Sequence, residues 1–299
     1  MSYKTKRVRN KIRGTWFDAV NVIFLSLLGL IMLIPFYCVL VGSVSPKIAS
    51  TDFVGRIWPR SLDFSSYVYA FQKTALLTGL KNTLIVTIVG VPFNLVLTIG
   101  LAYALSKKWL WGRAFFMNMI IFTMFFGGGL IPFYLLMTNT LKLRDSLWAV
   151  ILPYGVNTFN MIIMKNYFQS LPAELEESAY IDGANDLMIF AVIILPLSLP
   201  LLATFTLFFS VDRWNEWWNS MLFTTKQNNK TMQLILREMV VSADTLNQKM
   251  ATETVAIMPM LSMSVKCSAT VLTIVPIMCV YPFLQKYYMK GLLVGAIKS

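Results

Sequence analysis

The sequence predicts an all-α integral membrane protein with six transmembrane helices and a short cytoplasmic helix between the fourth and the fifth. Three observations carry that prediction. Apolar residues fill 57% of the 299 positions and charged residues only 13%, with a mean hydropathy of +0.63, more apolar surface than a water-soluble domain of this length buries. The apolar residues arrive in blocks rather than at amphipathic spacing. Basic residues collect at the edges of those blocks, where they set orientation.

A bilayer core of about 30 Å needs about 20 mostly apolar helical residues. The blocks that meet this requirement cover 16–44, 80–106, 114–137, 147–164, 187–209 and 261–284. Domain organisation follows: a basic cytoplasmic tail over 1–15, a six-helix transmembrane domain over 16–284 with a cytoplasmic loop at 167–190, and a C-terminal cytoplasmic tail over 285–299.

The first tail holds Lys4, Lys6, Arg7, Arg9, Lys11 and Arg13 without an acidic partner, which keeps it in the cytoplasm. Lys107, Lys108 and Arg113 between the second and third spans, and Lys286, Lys290 and Lys298 after the sixth, fall on the same side. Segments 45–79 and 211–260 then face outward. The expected location is the cell membrane with both termini cytoplasmic. The net charge of +12 flanks spans instead of forming one basic face, so nucleic acid is not the expected partner. The first apolar block is longer than a signal-peptide core and no small-residue cleavage site follows it, so it is expected to remain.

Absences narrow the chemistry. The chain has no histidine, which removes His-dependent triads, His proton relays and His-containing zinc sites. Gly127-Gly128-Gly129 is followed by Leu130-Ile131-Pro132 and fits neither a phosphate loop nor a dinucleotide fingerprint. Cys38, Cys267 and Cys279 all fall inside spans, where thiols behave as small apolar groups. No catalytic residue, bound cofactor, metal or disulfide is expected, and the chain does not hydrolyse ATP alone.

The loop at 167–190 is the most informative stretch. Ser170 is placed to cap a helix, Pro172 suits its first turn, and Glu174, Glu176 and Glu177 lie near its positive end. Leu171, Leu175 and Ala179 make one narrow apolar stripe, with Glu177 and Asp182 outside it. Gly183 ends the helix in a left-handed turn, and Asn185 or Asp186 caps a following helix that runs into the fifth span. On these residues alone the unit reads either as a docking element or as an ordinary loop helix lying at the membrane interface.

Glu177-Ser178-Ala179, then Gly183 after three residues, Ile193 after nine more, and Leu195-Pro196 resembles the EAA signature of permease subunits in ATP-binding-cassette importers. Ser178 replaces the first alanine of that pattern, one small residue for another. The likeness extends over nearly the whole chain and is greatest to MalG-type permeases of carbohydrate importers, in the branch that handles complex oligosaccharides. Phe126–Pro132, Asn160–Asn166, Pro196-Leu197-Ser198 with Pro200, and Tyr281–Lys286 carry it.

The resemblance implies a type I importer permease fold in a bacterial cell membrane and a coupling helix seated in an ATPase cleft. Glu174, Glu177, Ser178, Ala179, Asp182, Gly183, Ala184, Leu195 and Pro196 are then the ATPase-coupling residues. Lys290, Gly291, Gly295 and Lys298 become a second ATPase contact, against the alternative of a basic tail on anionic lipid. The implied partners are a second homologous permease in a heterodimer, an ABC ATPase dimer that uses ATP and Mg, an extracellular solute-binding protein, an oligosaccharide, and membrane lipid.

Polar groups inside spans are costly and so point to function. Asn82, Asn94, Asn118, Asn157 and Asn160 are candidates for the substrate pathway, with interhelical hydrogen bonding as the alternative. Trp214, Trp217 and Trp218 beside Asn215 and Asn219 suit stacking and hydrogen bonding to a sugar, form an interfacial aromatic belt, or meet the delivering receptor, for which the polar, helix-competent segment 226–253 is also suited. Gly127–Gly129 with Pro132 weakens a regular helix and serves either close helix packing, the expected reading, or an irregular backbone lining a cavity. Lys266 is expected to snorkel to water, with a substrate role as the alternative. The competing classes are a self-sufficient secondary transporter, a membrane enzyme and a generic scaffold. A matched pair of interrupted inverted halves is not evident for the first, and the acidic residues concentrate in the 174–186 element rather than in a catalytic cluster.

Overall fold

The computed structural model describes residues 16–46, 58–59, 61–250 and 263–296, and every regular element among them is helical. In chain order the first α-helices are α1 (Trp16–Ser43), α2 (Ser65–Lys73), α3 (Leu76–Ser106), α4 (Arg113–Phe125), α5 (Leu130–Leu135), α6 (Trp148–Ile151) and α7 (Thr158–Ser170). They continue as α8 (Glu174–Ile181), α9 (Asp186–Ile189), α10 (Leu195–Leu197), α11 (Leu199–Trp214), α12 (Trp218–Phe223), α13 (Met232–Met250) and α14 (Met263–Ala296). The 1–15 tail lies outside the described residues. No break marks a boundary at 284, because α14 runs through it.

Among the described residues two helices, α1 and α3, are continuous and apolar enough to cross a membrane, with mean hydropathies of 2.6 and 2.3. None of the most apolar stretch of α1 is buried, so its sides call for lipid or a partner helix. It is held at its C-terminal end, where Val41, Gly42 and Ser43 are buried. There the Tyr67 hydroxyl donates to Ser43 Oγ at 2.7 Å and the Ser268 hydroxyl donates to the Ser43 carbonyl at 3.2 Å.

The stretches 114–137 and 187–209, expected as single spans, are bent pairs. Arg113–Phe125 and Leu130–Thr140 meet at 112°, and Asp186–Leu197 and Leu199–Phe223 at 79°. At the first bend Phe126 is extended and Gly129 has φ +87°, a conformation glycine adopts without a steric penalty. The tight packing expected of this glycine run is not found: a side-chain carbon added at Gly127 or Gly128 would meet nothing within 4 Å. These glycines break a helix. At the second bend Ser198 leaves helical geometry and Pro200 opens the next segment, removing an amide donor where the ladder is already interrupted. The stretch 147–164 is also divided. It starts as α6, tightens to a 3₁₀ turn at Leu152–Tyr154, and resumes as α7.

α3 is the central element, packing against α7, α11 and α13, while α14 packs against α1 and α11. Leu105, Met161, Met164, Phe168, Ile194 and Phe209 form part of the largest buried apolar cluster. In lipid such contacts act through van der Waals fit and interhelical hydrogen bonds more than through exclusion of water. Asn82 supplies two of those bonds, donating to the carbonyls of Asn228 at 2.7 Å and Lys230 at 2.9 Å. Thr83 Oγ1 accepts from the Met232 amide at 2.9 Å. Lys266 does not snorkel: it is buried and its ammonium donates to the Val240 carbonyl at 3.4 Å, because α13 covers that face of α14.

Candidate functional site

Two places gather the sequence-predicted residues. The first is the loop carrying α8. Its helix starts at Glu174 with Ala173 as cap residue and no side-chain cap bond. Ser170 does not cap it, since its hydroxyl donates backwards to the Tyr167 carbonyl at 2.8 Å; three residues separate Ser170 from the helix start, beyond capping reach. The C-terminus is closed as expected. The Ala184 amide donates to the Ala179 carbonyl at 3.0 Å and the Gly183 amide to the Tyr180 carbonyl at 3.0 Å, with Gly183 at φ +83°, which is a Schellman motif. Asn185 then caps α9, accepting from the Met188 amide at 2.8 Å.

One side of α8 is anchored. Ala179 and Leu171 pack into the main apolar cluster, and Lys107, buried at the end of α3, forms an ion pair with Glu176. The Lys107 ammonium also lies 4.2 Å from the centroid of the Tyr103 ring. Gln169 donates to the Ser106 carbonyl at 3.3 Å. The Tyr180 hydroxyl donates to the Asp186 carboxylate, and that bond pushes the phenol up to about 12. The other side is open. Glu174, Glu177, Ser178, Asp182 and Gly183 are exposed, beside Ile181 at 88%, Leu187 at 74% and Met188 at 56% exposure. Ala179, Asp182, Gly183 and Ala184 border a hollow of about 240 Å³ with Met188, Ile189, Val192 and Ile193. Leu195 and Pro196 form α10, one turn before the bend at Ser198. Lys290, Gly291 and Gly295 fall on the last turns of α14, where only the backbone is described, and Lys298 lies outside the described residues.

The second place is a cavity of about 360 Å³ beside the end of α11. Asn157, Asn215 and Trp218 line it, together with Trp217, Asn94, Tyr154, Asp212, Arg213 and Glu216. Asn82, Asn160 and Trp214 do not reach it. Asn82 ties α3 to the segment before α13, Asn160 is buried in α7, and the Trp214 indole donates to the Thr273 carbonyl at 3.2 Å. Asn157 reaches the cavity because it stands before α7, capping it by accepting from the Asn160 amide at 3.1 Å. Asn118 is exposed on α4.

Arg213 organises the cavity wall and was not singled out from sequence. It is 1% exposed, and its guanidinium donates to the Val150 carbonyl at 3.0 Å, the Ile151 carbonyl at 2.7 Å and Asn94 Oδ1 at 2.6 Å. One side chain thereby joins α3, α6 and α11. Glu216, also buried, accepts from the Asn219 amide in the first turn of α12 at 2.8 Å. The combination of aromatic faces, amides and carboxylates is what a polyhydroxylated ring meets through stacking and hydrogen bonding. A carboxamide buried beside Arg213 was visible in sequence only as a polar residue in an apolar run.

No protein-family model matches the chain. Protein LplC of Bacillus subtilis (strain 168) is 37% identical over 292 residues, 98% of each chain. The polygalacturonan/rhamnogalacturonan transport system permease protein YtcP of the same organism is 37% identical over 290 residues, 96% of this chain and all of that one (100%). In the crystal structure of a bacterial ABC transporter involved in the import of the acidic polysaccharide alginate, one chain is 34% identical with a TM-score of 0.79, covering 91% of this chain and 96% of its own length.

Proposed function

Because the chain belongs to the family of sugar-transport permeases of ATP-binding-cassette importers, we propose that it forms one half of a transmembrane path for an oligosaccharide. Its partner in the membrane is a second, homologous permease. The saccharide is delivered by an extracellular solute-binding protein, and ATP with Mg is hydrolysed on a separate ATPase dimer. The names of the polygalacturonan/rhamnogalacturonan permease and the alginate importer support a saccharide longer than a monosaccharide.

One observation carries the coupling role: α8 is fastened on one side and bare on the other. Glu176 and Ala179 hold it to the body, while Glu177, Asp182, Ile181, Leu187 and Met188 present a mixed acidic and apolar surface. In this reading that surface sits in the ATPase, with Leu195 and Pro196 passing its movement to α11 across the bend. Closure of the ATPase dimer on ATP turns the path outward and hydrolysis resets it, with the loaded binding protein favouring one state. The cavity lined by Asn157, Asn215, Trp217 and Trp218 is the place where this chain touches the saccharide. The 16–284 region is the transmembrane domain with six crossings, 1–15 and 285–299 are cytoplasmic tails, and Lys290, Gly291, Gly295 and Lys298 approach the ATPase.

The test is co-expression with the neighbouring permease, ATPase and binding protein, followed by ATP hydrolysis and oligosaccharide uptake for wild type and Glu177→Lys. Assembly and uptake by the wild type, with loss of ATPase association and uptake in the variant, is the expected result. Normal uptake by Glu177→Lys removes the coupling assignment, and uptake driven by an ion gradient without the ATPase replaces the whole reading with a secondary transporter.

A further inference from the structure

α3 separates two clusters of polar contacts. From Asn82 to Lys107, at about 1.5 Å per residue, is about 37 Å, so the Lys107–Glu176 pair and the bonds of Asn82 lie at opposite ends of the molecule. Beside the Asn82 end stand Lys81, Lys142, Arg144 and Lys226, all exposed. None of the four has a salt-bridge partner among the described residues.

The segments that bear these cations are stapled together. Asp145 Oδ1 accepts from the amides of Thr225 at 2.6 Å and Lys226 at 2.9 Å, and Oδ2 accepts from the Thr225 hydroxyl at 2.8 Å. The Asp145 amide donates to the Phe223 carbonyl at 2.9 Å, and the Asn229 side-chain amide donates to the Asp145 carbonyl. Asn82, next to Lys81, donates to the carbonyls of Asn228 and Lys230. The nearby carboxylates are committed: Asp145 to this clasp, and Glu238 to Lys230 at 2.7 Å. The result is a rigid basic platform. It adjoins the cavity, because the Thr231 hydroxyl donates to the Glu216 carbonyl at 2.8 Å and the Thr231 amide to Ser220 Oγ at 3.1 Å.

We propose that this platform docks an acidic face of the solute-binding protein that delivers the cargo. The proposal rests on the permease reading, which puts α8 inside and the platform outside. Cations held by main-chain bonds on separate turns beside a cavity suit a surface brought by another protein. An anionic saccharide suits them less, since the adjoining cavity carries Asp212 and Glu216 while Arg213 is already bonded.

The experiment uses the assembled transporter in nanodiscs of zwitterionic lipid, and in parallel of anionic lipid, with its own loaded binding protein and, separately, with a free acidic saccharide. Affinity is measured against ionic strength for wild type, the charge-reversed Lys142→Glu/Arg144→Glu/Lys226→Glu and the neutral Lys142→Gln/Arg144→Gln/Lys226→Gln. Thermal unfolding of each variant reports that it has folded. The expected result is wild-type affinity that falls with salt, reversal weakening it about tenfold or more, and the neutral variant lying between. Affinity that is independent of salt and unchanged by reversal overturns the proposal. So does a loss seen only when anionic lipid is present, or only in binding of free acidic saccharide, which would make the platform a lipid or cargo contact. Failure of the chain to assemble with the ATPase at all is a different outcome: it removes the permease reading, and the platform falls with it.

Discussion

Replacing Arg213 by Met keeps a long side chain in place but removes the fork that joins three helices. Three acceptors, the carbonyls of Val150 and Ile151 and the Asn94 carboxamide oxygen, lose a charged donor that lies within 3.0 Å of each. Bonds to a charged group contribute about 1.5–3 kcal/mol each. Relief from burying a guanidinium that is 1% exposed returns several kcal/mol. The expected net loss is about 2–4 kcal/mol, smaller than the bonds alone suggest. For a chain of 299 residues that corresponds to a fall in unfolding temperature on the order of 3–6 °C, read by thermal unfolding of the purified protein in detergent. Arg213→Lys retains the charge without the planar fork and should fall between the two. A double-mutant cycle with Asn94→Leu adds a direct check, because touching groups couple by about 0.5–3 kcal/mol. If Arg213→Met unfolds with the wild type, or the two substitutions add without coupling, the side chain is not the joint described.

Two further outcomes follow from other contacts. Lys107→Met and Glu176→Gln should each raise ATP hydrolysis per saccharide imported, with a coupling in the cycle of about 1–2 kcal/mol, and the exchange Lys107→Glu/Glu176→Lys should restore part of it; no recovery on exchange counts against the pair. The Asp145 carboxyl is held below its ordinary value by the Lys226 amide, then by the Thr225 hydroxyl. A depressed value means the clasp is fully formed above the ordinary carboxylate range and is lost as pH falls through the depressed value. Hydrogen exchange at Thr225 and Lys226 should therefore stay slow at neutral pH and quicken only in acid, and Asp145→Asn should remove that dependence.

The apolar blocks made the helices legible, and three local signals located their interruptions: Gly129, Gly183 and Asn185 each act through backbone conformation or a neighbouring amide. Such effects are written within a few residues. Contacts across long separations were not. Lys107 read as a charge flanking a span, yet it is buried against Glu176, and nothing in either neighbourhood announces the other. Arg213 follows an apolar run and nothing beside it in sequence singles it out, yet it points inward to carbonyls supplied by α6. Trp214 and Trp218 looked equivalent, but four positions and the turn at Asn215 send one to α14 and the other to the cavity. Ser170 carried a cap signal that failed because Pro172 and Ala173 intervene before the helix starts.

The wide turn at Phe190–Ile194 has an angular consequence. It is a π-helical turn inserted between α9 and α10, and a π-turn amounts to one residue more than an α-helix needs. Each helical residue turns the chain by about 100°. Deleting a single position there would relax the turn and rotate everything downstream about a third of a revolution relative to α8. The azimuth of Arg213, and with it the direction in which the cavity opens, is thus set by one surplus residue near the start of the fifth apolar block. Deletions in this turn should be poorly tolerated even though no side chain in it touches the cavity.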